Sequence, residues 1–192
     1  MPDPGAHLGA AELFRREAPF VARVLARLGL PVSDLDDAVQ EVFLTVHRRG
    51  GFVVDGASPR TWLAEISIRV AANARRARRR RPTAVLDGVA DALTASGADP
   101  CETTLQRERL DRIAQALETL AVAHRVVFVL FEIEGEPCES IARGLGVPTG
   151  TVYSRLHLAR RAFRAAYERI EATRSSSTPA SLLEVPPMKV MA

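Results

Sequence analysis

The sequence predicts an all-α fold of two small helical domains joined by a flexible linker, with a helix-turn-helix in the second domain. Ala, Leu, Arg and Glu recur with helical periodicity, and β-branched runs are few. Of the 192 residues, 47% are hydrophobic, which is enough for packed cores. Between two regions of helical pattern, residues 82–104 are rich in Pro, Gly, Ala, Ser, Thr and acid, as in an interdomain linker.

The first domain is expected over residues 10–81. Apolar residues at helical spacing predict a first helix that ends at Gly29. Ser33 or Asp34 would cap a second helix, which reads DLDDAVQEVFLTVHRR from Asp34 to Arg49. Most acidic helix faces are merely solvated. Acidic and amide side chains beside an aromatic one can also form a binding surface on this helix: Asp37, Gln40, Glu41 and Phe43.

The third helix begins after Ser58-Pro59 and ends in a run of arginine. Six of the seven residues from Arg75 to Arg81 are Arg. A run of this kind can be a simple basic tail, but here it continues an amphipathic helix, which favours a phosphate-binding surface. Trp62 is the single tryptophan. Core packing is the plainest role for this ring, and stacking on a base is the alternative.

The second domain, expected over residues 105–172, contains the stretch PCESIARGLGVPTGTVYSRLHLARRAF. Ala142, Gly146 and Val152 have the spacing of a helix-turn-helix. Gly146 can take the left-handed conformation that ends the first helix, and Pro148 pre-sets the backbone for the second. An ordinary helical hairpin is the alternative, but a basic exposed face beside this corner favours DNA binding.

The outward face of the second of these helices is suited to a major groove. The inward face is Val152, Leu156, Ala159 and Phe163. Thr149 and Thr151 lie in the first turn, where free backbone N–H groups can hold a phosphate. Side chains expected to reach base edges are Tyr153, Ser154, His157 and Leu158, and those expected to hold phosphates are Arg155, Arg160 and Arg161.

The positive charge is concentrated in these same two places. The whole chain has a net charge of only +3. Residues 58–81 hold eight Arg against one Glu, a net charge of +7, and residues 146–174 hold six Arg against two Glu, a net charge of +4. Two separate nucleic-acid contacts are therefore expected.

Other sequence features predict a cytoplasmic protein without metal or cofactor. Cys101 and Cys138 form no CxxC pair, which favours a reducing compartment and argues against a metal site. No apolar run reaches the roughly 18 residues of a membrane helix, and no signal pattern is present at the N-terminus. Residues 173–192 are predicted to be a disordered tail.

Four segments in a fixed order resemble a known family. They read DLDDAVQEVFLTVHRR, PRTWLAEISIRVAANARRARRRR, LETLAVAHRVVFVLFEIEG and SIARGLGVPTGTVYSRLHLARRAF. Together they are similar to the small two-domain sigma factors of bacterial RNA polymerase, the extracytoplasmic-function group. The resemblance covers roughly residues 10–170.

The resemblance implies a non-enzymatic factor that binds core RNA polymerase and directs initiation at promoters. The helix over residues 34–49, with Asp37, Gln40, Glu41 and Phe43, would dock on the clamp helices of the largest polymerase subunit. The −10 element would be contacted by Trp62, Arg69, Asn73, Arg76, Arg79 and Arg80. The −35 element would be contacted by Thr149, Thr151, Tyr153, Ser154, Arg155, His157, Leu158, Arg160 and Arg161.

The resemblance also implies an anti-sigma factor as a partner, with no small-molecule substrate and no membrane insertion. The chain departs from the family pattern at three places. Family members often have Arg-Asn at Ile68-Arg69, an acid at Asn73 and a basic residue at Leu158. These departures bear on which promoter sequence is read and not on the class of protein.

Linker length predicts that core polymerase must hold the linker extended. The linker, residues 82–104, has 23 residues. Fully extended it reaches at most about 80 Å, whereas a flexible coil of that length averages about 26 Å. Two turns of duplex, the order of separation expected for the two promoter elements, measure about 70 Å. The free protein can therefore be compact, which would let an anti-sigma protein mask its two basic surfaces.

Two other classes of function are open at the level of residues alone. A plain transcriptional regulator would share the helix-turn-helix but would not need the segment from Asp34 to Arg81, and it would not confer promoter-specific initiation on core polymerase. A DNA enzyme such as a recombinase would need a nucleophile with supporting acid and base. No cluster of Ser, Tyr, His or carboxylates in the sequence qualifies, and base contact is the better interpretation of Tyr153.

Overall fold

A computed structural model describes residues 7–53, 58–80 and 100–177, and within these ranges the all-α prediction is confirmed. The only strands described are β1 (His7–Leu8) and β2 (Phe52–Val53), which pair antiparallel. The α-helices are α1 (Ala10–Arg27), α2 (Val32–Arg48), α3 (Pro59–Arg80), α4 (Pro100–Glu118), α5 (Val122–Phe128), α6 (Cys138–Leu145) and α7 (Thr149–Ser177). A short π-helix, Val129–Ile133, continues α5.

Helices α1, α2 and α3, here called the first half, pack on one another. Each presents its apolar positions, three or four residues apart, to a shared interior. The first half buries, among others, Phe20, Leu25, Val42, Val46, Leu63 and Ile66. This packing confirms the inward faces that helical periodicity predicts.

The start of α2 differs from the prediction. Pro31, in extended conformation, precedes the helix, which begins at Val32. No side chain caps this helix, and the Ser33 hydroxyl donates a 3.0 Å hydrogen bond to the carboxylate of Asp34. The prediction that Ser33 or Asp34 caps α2 is therefore wrong, because Pro31, whose ring restricts its φ, occupies the N-cap position and Ser33 and Asp34 already lie inside the helix.

Helices α4 to α7 with the π-helix form the second half. Helix α4 runs along α7, and a small core between them and α5 includes Leu117, Phe128 and Ala159. The Phe128 and Phe163 rings stack with centroids 4.7 Å apart. The long α7 thus combines the recognition segment of the helix-turn-helix with a support helix that is packed on α4.

Two predicted boundaries differ by a few residues. Helix α4 begins at Pro100 and not at 105, which suits the preference of proline for the first helical turn. Helix α7 continues past 172 to Ser177, and an ion pair of 2.9 Å between Arg174 and Glu108 fastens this extension to α4. The rest of the predicted linker and tail, residues 82–99 and 178–192, lies outside the described residues.

The two halves pack against each other. One continuous hydrophobic core contains Leu63 of α3, Val127 of α5 and Ile141 of α6. Helix α6 lies directly on α3. The prediction of two helical units separated by a linker did not include this contact.

Candidate nucleic-acid interface

The corner of the helix-turn-helix has the backbone that its sequence predicts. Gly146 follows α6 with φ +63° and ψ +36°, the left-handed conformation that glycine adopts without strain. The Val147 N–H donates to the Ala142 carbonyl at 3.0 Å, which closes the end of α6. The Thr151 N–H then donates to the Pro148 carbonyl at 2.9 Å as α7 begins. The backbone therefore turns sharply between two well-formed helices.

Apolar packing fixes the orientation of α7 on this corner. Ile141 and Ala142 of α6 are buried together with Val152 and Leu156 of α7. Leu145 and Val147 pack partly buried against the same core. Because Val152 and Leu156 are one turn apart and face inward, the residues between them face solvent.

The outward face of α7 carries the side chains predicted to contact DNA. Tyr153 is 53% exposed and Leu158 is 45% exposed. The remaining exposed members are Ser154, His157, Arg160 and Arg161, while Thr149, Thr151 and Arg155 are half-buried. Polar, aromatic and apolar side chains beside arginine on one exposed helix face are the types that read base edges and hold phosphates.

Two side chains on this face are held by neighbouring protein groups. The Tyr153 hydroxyl donates to the Glu139 carboxylate at 3.1 Å, and this hydrogen bond raises the pKa of Tyr153 above its ordinary value. Arg160 forms an ion pair with Glu132, and its guanidinium lies 5.3 Å from the centre of the Phe131 ring. If α7 contacts DNA as the sequence predicts, each of these two side chains has to exchange its protein partner for a DNA partner.

The arginine side chains at the end of α3 lie on two different faces of the helix. Half-buried Arg75 donates to the Leu28 carbonyl at 3.0 Å, and Arg78 lies 3.7 Å from the Asp34 carboxylate. Arg76 and Arg80 are exposed. The side chain of Arg79 lies outside the described residues. Part of the run therefore joins α3 to its neighbours, and another part is available to a ligand.

Two further side chains predicted to face the −10 element lie on the exposed surface of α3. Asn73 is exposed and accepts a 2.7 Å hydrogen bond from Arg76. Arg69 is exposed and forms an ion pair with Glu65, one turn earlier on the helix.

Trp62 is half-buried against the core of the first half. Its ring is tilted against Phe52 of β2, with ring centroids 5.3 Å apart. The structure thus gives this ring a core-packing role, and only part of the side chain stays accessible to a base.

The exposed face of α2 differs from the prediction at one residue. Asp37, Gln40 and Glu41 are exposed as expected. Phe43 is only 6% exposed, and its ring packs edge-on against Phe14 at 5.0 Å, so its predicted part in a docking surface needs correction. The exposed apolar residue is Leu44, which is 48% exposed. Helical spacing explains why Leu44 and not Phe43 is exposed, since residues 37, 40, 41 and 44 lie on one helix face.

A groove between α2 and α3 joins two predicted sites that are far apart in the sequence. Asp37 and Glu41 line one wall, and Arg69 and Asn73 line the other. The groove has a volume of about 580 Å³. The surface expected to bind polymerase and the surface expected to bind the −10 element are therefore adjacent, which the sequence alone does not show.

The packing of the two halves leaves the basic surfaces exposed, so masking of them by an anti-sigma protein stays a prediction. Arg76 and Arg80 of α3 remain exposed with the halves packed together. The outward face of α7 also remains exposed, as Tyr153 and Leu158 show. The contact between the halves uses other residues, at the start of α3 and on α6.

Within the described ranges 7–53, 58–80 and 100–177, no group of three or more His, Cys, Asp or Glu side chains could hold a metal ion. In the same part of the chain, no helix is both long enough and apolar enough to cross a membrane.

Two family models match the chain in separate segments. Residues 13–81 match the model described as Sigma-70 region 2. Residues 110–163 match the model described as Sigma-70, region 4. The matched segments coincide with the first half and with most of the second half.

Curated proteins similar to the chain cover most of its length. The ECF RNA polymerase sigma factor SigM of Mycobacterium tuberculosis is 34% identical over 150 residues, 78% of this chain and 72% of SigM. SigL of the same species is 32% identical over 163 residues, 84% of this chain and 90% of SigL. The ECF RNA polymerase sigma-E factor of Escherichia coli is 31% identical over 149 residues, 74% of this chain and 78% of that protein.

Solved structures share the fold. One is the sigma factor RpoE in complex with the anti-sigma factor NepR from Bartonella quintana, with a TM-score of 0.63 and 18% identity over 82% of this chain and 96% of that one. Another is CnrH in complex with the cytosolic domain of CnrY, with a TM-score of 0.60 and 22% identity over 83% of this chain and 88% of that one.

Proposed function

The chain belongs to the extracytoplasmic-function sigma factors of bacterial RNA polymerase, and from that membership we propose which of its surfaces bind polymerase and promoter. As a sigma factor it acts with core RNA polymerase in the recognition of promoters. The family consists of non-enzymatic initiation factors, and we extend this to the chain, whose contribution is binding alone. The cytoplasm, where polymerase works, is its proposed location.

The −35 element is assigned to the outward face of α7. One observation carries this assignment: a well-formed helix-turn-helix leaves Tyr153 and Leu158 exposed on its second helix, with arginine beside them. Tyr153, Ser154, His157 and Leu158 would read base edges. Thr149, Thr151, Arg155, Arg160 and Arg161 would hold phosphates, the threonines in the first turn, where backbone N–H groups are free.

The −10 element is assigned to the exposed side of α3. Arg69, Asn73, Arg76 and Arg80 lie on that surface, and Arg79 belongs to the same run. Strand opening needs a surface that attracts the backbone and holds bases outside the duplex, without chemistry of its own. The exposed arginines would supply the charge, and the accessible part of Trp62 would supply an aromatic contact.

We assign the binding of core polymerase to the exposed face of α2. Asp37, Gln40 and Glu41 form it, and Leu44 takes the apolar position predicted for Phe43. An exposed leucine among acidic and amide side chains combines an apolar contact with charges that orient the partner. Because this face borders the groove shared with Arg69 and Asn73, polymerase and the −10 element would meet there.

An anti-sigma protein is a further proposed partner. The solved structure of the sigma factor RpoE with the anti-sigma factor NepR supports this proposal, because RpoE shares the fold of this chain.

Reconstituted transcription tests the proposed function. Purified core polymerase is incubated with this protein and DNA from its own genome, and the transcripts are sequenced. We expect a defined set of starts preceded by shared −10 and −35 motifs, absent with core alone. The Leu158→Arg variant serves as a matched control, because it should shift the −35 motif while leaving the −10 motif unchanged. Starts that do not differ from those of core alone would contradict the proposal.

A further inference from the structure

An apolar groove lies between α4 and α7 in the second half. It has a volume of about 550 Å³, and the end of α1 contributes to its wall. Its lining is mainly aliphatic and aromatic, with Leu110, Ile113 and Leu117 from α4 and Phe163 and Tyr167 from α7. The last two rings stack with centroids 6.0 Å apart. An accessible apolar surface of this size that is flanked by charged groups is typical of a binding site.

Two charged side chains at the edge of this groove have no ion-pair partner among the described residues. They are Arg109 and Glu118, which are both exposed. Arg27 and Glu132 also line the groove, but each already pairs with an oppositely charged protein group. Arg109 and Glu118 are nine residues apart on α4, about 14 Å along the helix axis. The groove therefore presents a positive charge, an apolar surface and a negative charge in that order.

The sequence that follows α7 contains the complementary order of groups. Helix α7 ends at Ser177, and residues 182–191 read LLEVPPMKVM. Glu184 precedes the apolar run VPPM, and Lys189 follows it. Consecutive prolines favour an extended backbone that rises about 3.1 Å per residue, in which these two charges would be about 16 Å apart. This distance agrees with the separation of the two groove charges.

The direction of the chain agrees as well. Two ion pairs show that α4 and α7 are antiparallel, Arg174–Glu108 at 2.9 Å and Arg112–Glu171 at 3.5 Å. A chain that turns back after Ser177 therefore runs parallel to α4 and passes Arg109 before Glu118. Seven residues lead from Ser177 to Glu184, and they reach up to about 23 Å, which is enough for this turn.

We propose that residues 182–191 of the chain itself occupy this groove, extended and parallel to α4. Glu184 pairs with Arg109. Lys189 pairs with Glu118, and the two prolines pack on the aromatic rings of α7, as proline-rich segments do in aromatic-lined grooves. Because the segment is attached to the end of α7, its effective concentration at the groove is in the millimolar range, so weak contacts are sufficient. The outward face of α7 stays free, since the groove uses the opposite side of that helix.

Nuclear Overhauser effects between methyl groups test the docking directly. In the full chain we expect contacts between the Met188 methyl group and the Ile113 side chain. Glu184→Arg and Arg109→Glu should each weaken these contacts about threefold, since like charges then meet at the edge of the groove. The double variant should restore them, because the ion pair forms again with opposite polarity. Arg107→Glu is the matched control, since Arg107 is exposed on the same helix and does not line the groove.

Amide hydrogen exchange measures how strongly the docked segment stabilises the groove. Met188→Asp places a charge in the apolar contact and should displace the segment. We expect exchange in residues 110–117 to become about tenfold faster, as the loss of an intramolecular ligand that is bound most of the time requires. Ala180→Asp is the control, because it adds the same charge outside residues 182–191.

Three results would overturn the proposal. One is the absence of contacts between Met188 and Ile113 in the wild-type protein. Another is the appearance of these contacts between differently labelled molecules in a mixed sample, because a second copy would then supply the segment. The third is equal binding of the apolar dye anilinonaphthalene sulfonate by the wild-type protein and by Met188→Asp, since an occupied groove should bind less dye than an open one. All three are measured on the protein alone, so failure to initiate transcription would bear only on the proposed function.

Discussion

The arginines of α3 and the outward face of α7 are both expected to contact DNA, but the protein uses the two surfaces differently. On α7 the inward positions are apolar, with Val152, Leu156 and Ala159 buried, so the polar face is left for a ligand. On α3 the arginines themselves are divided. Arg75 bonds to the Leu28 carbonyl and Arg78 pairs with Asp34, while Arg76 is exposed.

This difference shows that a run of one residue type is not a single functional surface. Arg75 and Arg78 are three residues apart and therefore share a face, which meets the end of α1 and the start of α2. Arg76 and Arg80 are four residues apart and share the opposite, exposed face. The neighbouring helices decide which arginines stabilise the fold and which remain for DNA.

The largest expected effect concerns α2, because under the proposed function the contacts of α3 and α7 with a promoter depend on the binding of core polymerase through α2. Reversing charge in the double variant Asp37→Lys and Glu41→Lys should weaken core binding by about tenfold or more, since both charges lie on the proposed contact face. The fold should be intact, as both side chains are exposed. Copurification with core measures the effect, and Glu12→Lys on α1 is the control. Undiminished copurification of the double variant would remove α2 from the docking surface.

Within α3, two sets of variants should separate the two roles of arginine. Changing Arg76, Arg79 and Arg80 to Ala should reduce open complexes about tenfold, through lost backbone charge, with little change in core binding. Permanganate footprinting measures the melted region. Changing Arg75 to Ala should instead lower the free energy of unfolding by about 1–3 kcal/mol, because a charged hydrogen bond to a half-buried carbonyl is lost. A normal bubble in the triple variant would show that these arginines do not hold the opened strand.

On α7 the expected change is in sequence preference. Leucine cannot donate a hydrogen bond, so Leu158 either contacts a thymine methyl or leaves its base pair unread. Leu158→Arg should therefore change the selected −35 sequence, with each altered base pair worth roughly 1–3 kcal/mol. Selection from a library with a randomised −35 element measures this. The same selected sequence for wild type and variant would place Leu158 outside the base-reading face.

The smallest expected effect is on the titration of Tyr153. The hydrogen bond to Glu139 favours the neutral phenol and so raises the pKa of Tyr153. The stabilisation of the folded protein by this hydrogen bond is complete below the pKa of an unfolded tyrosine, near 10. It is lost as the pH rises through the higher pKa of Tyr153 in the folded protein. In Glu139→Gln, tyrosinate absorbance should develop at lower pH than in wild type. Tyr153→Phe identifies the signal, and an unshifted titration in Glu139→Gln would show that the bond does not persist in solution.

The helices and the helix-turn-helix corner could be predicted because local rules determine them. Apolar spacing of three and four residues fixes the inward face of α7, and a glycine followed by proline two residues later fixes the turn at Gly146. The same rules set faces only to within about one residue. That is why the exposed apolar residue of α2 is Leu44 and not the adjacent Phe43.

The contact between the halves could not be predicted because its residues have no periodic pattern. Ser58, Glu134, Glu136 and Ser140 have the sequence character of solvated surface residues. Gly144 resembles any helical glycine until Thr61 of a distant helix is placed against it. The groove between α2 and α3 could not be predicted either, since only the packing of the first half brings Asp37 opposite Asn73.

The distance between α3 and α7 tests most directly the claim that one chain holds two promoter surfaces together until polymerase separates them. Fluorescent labels on non-natural amino acids at exposed Ala77 and Ala162 report this distance by energy transfer. We predict high transfer in the free protein, a marked fall when core polymerase is added, and low transfer in the promoter complex. Low transfer in the free protein, equal to that in the promoter complex, would contradict the packing of the two halves in the free protein and their separation by core polymerase.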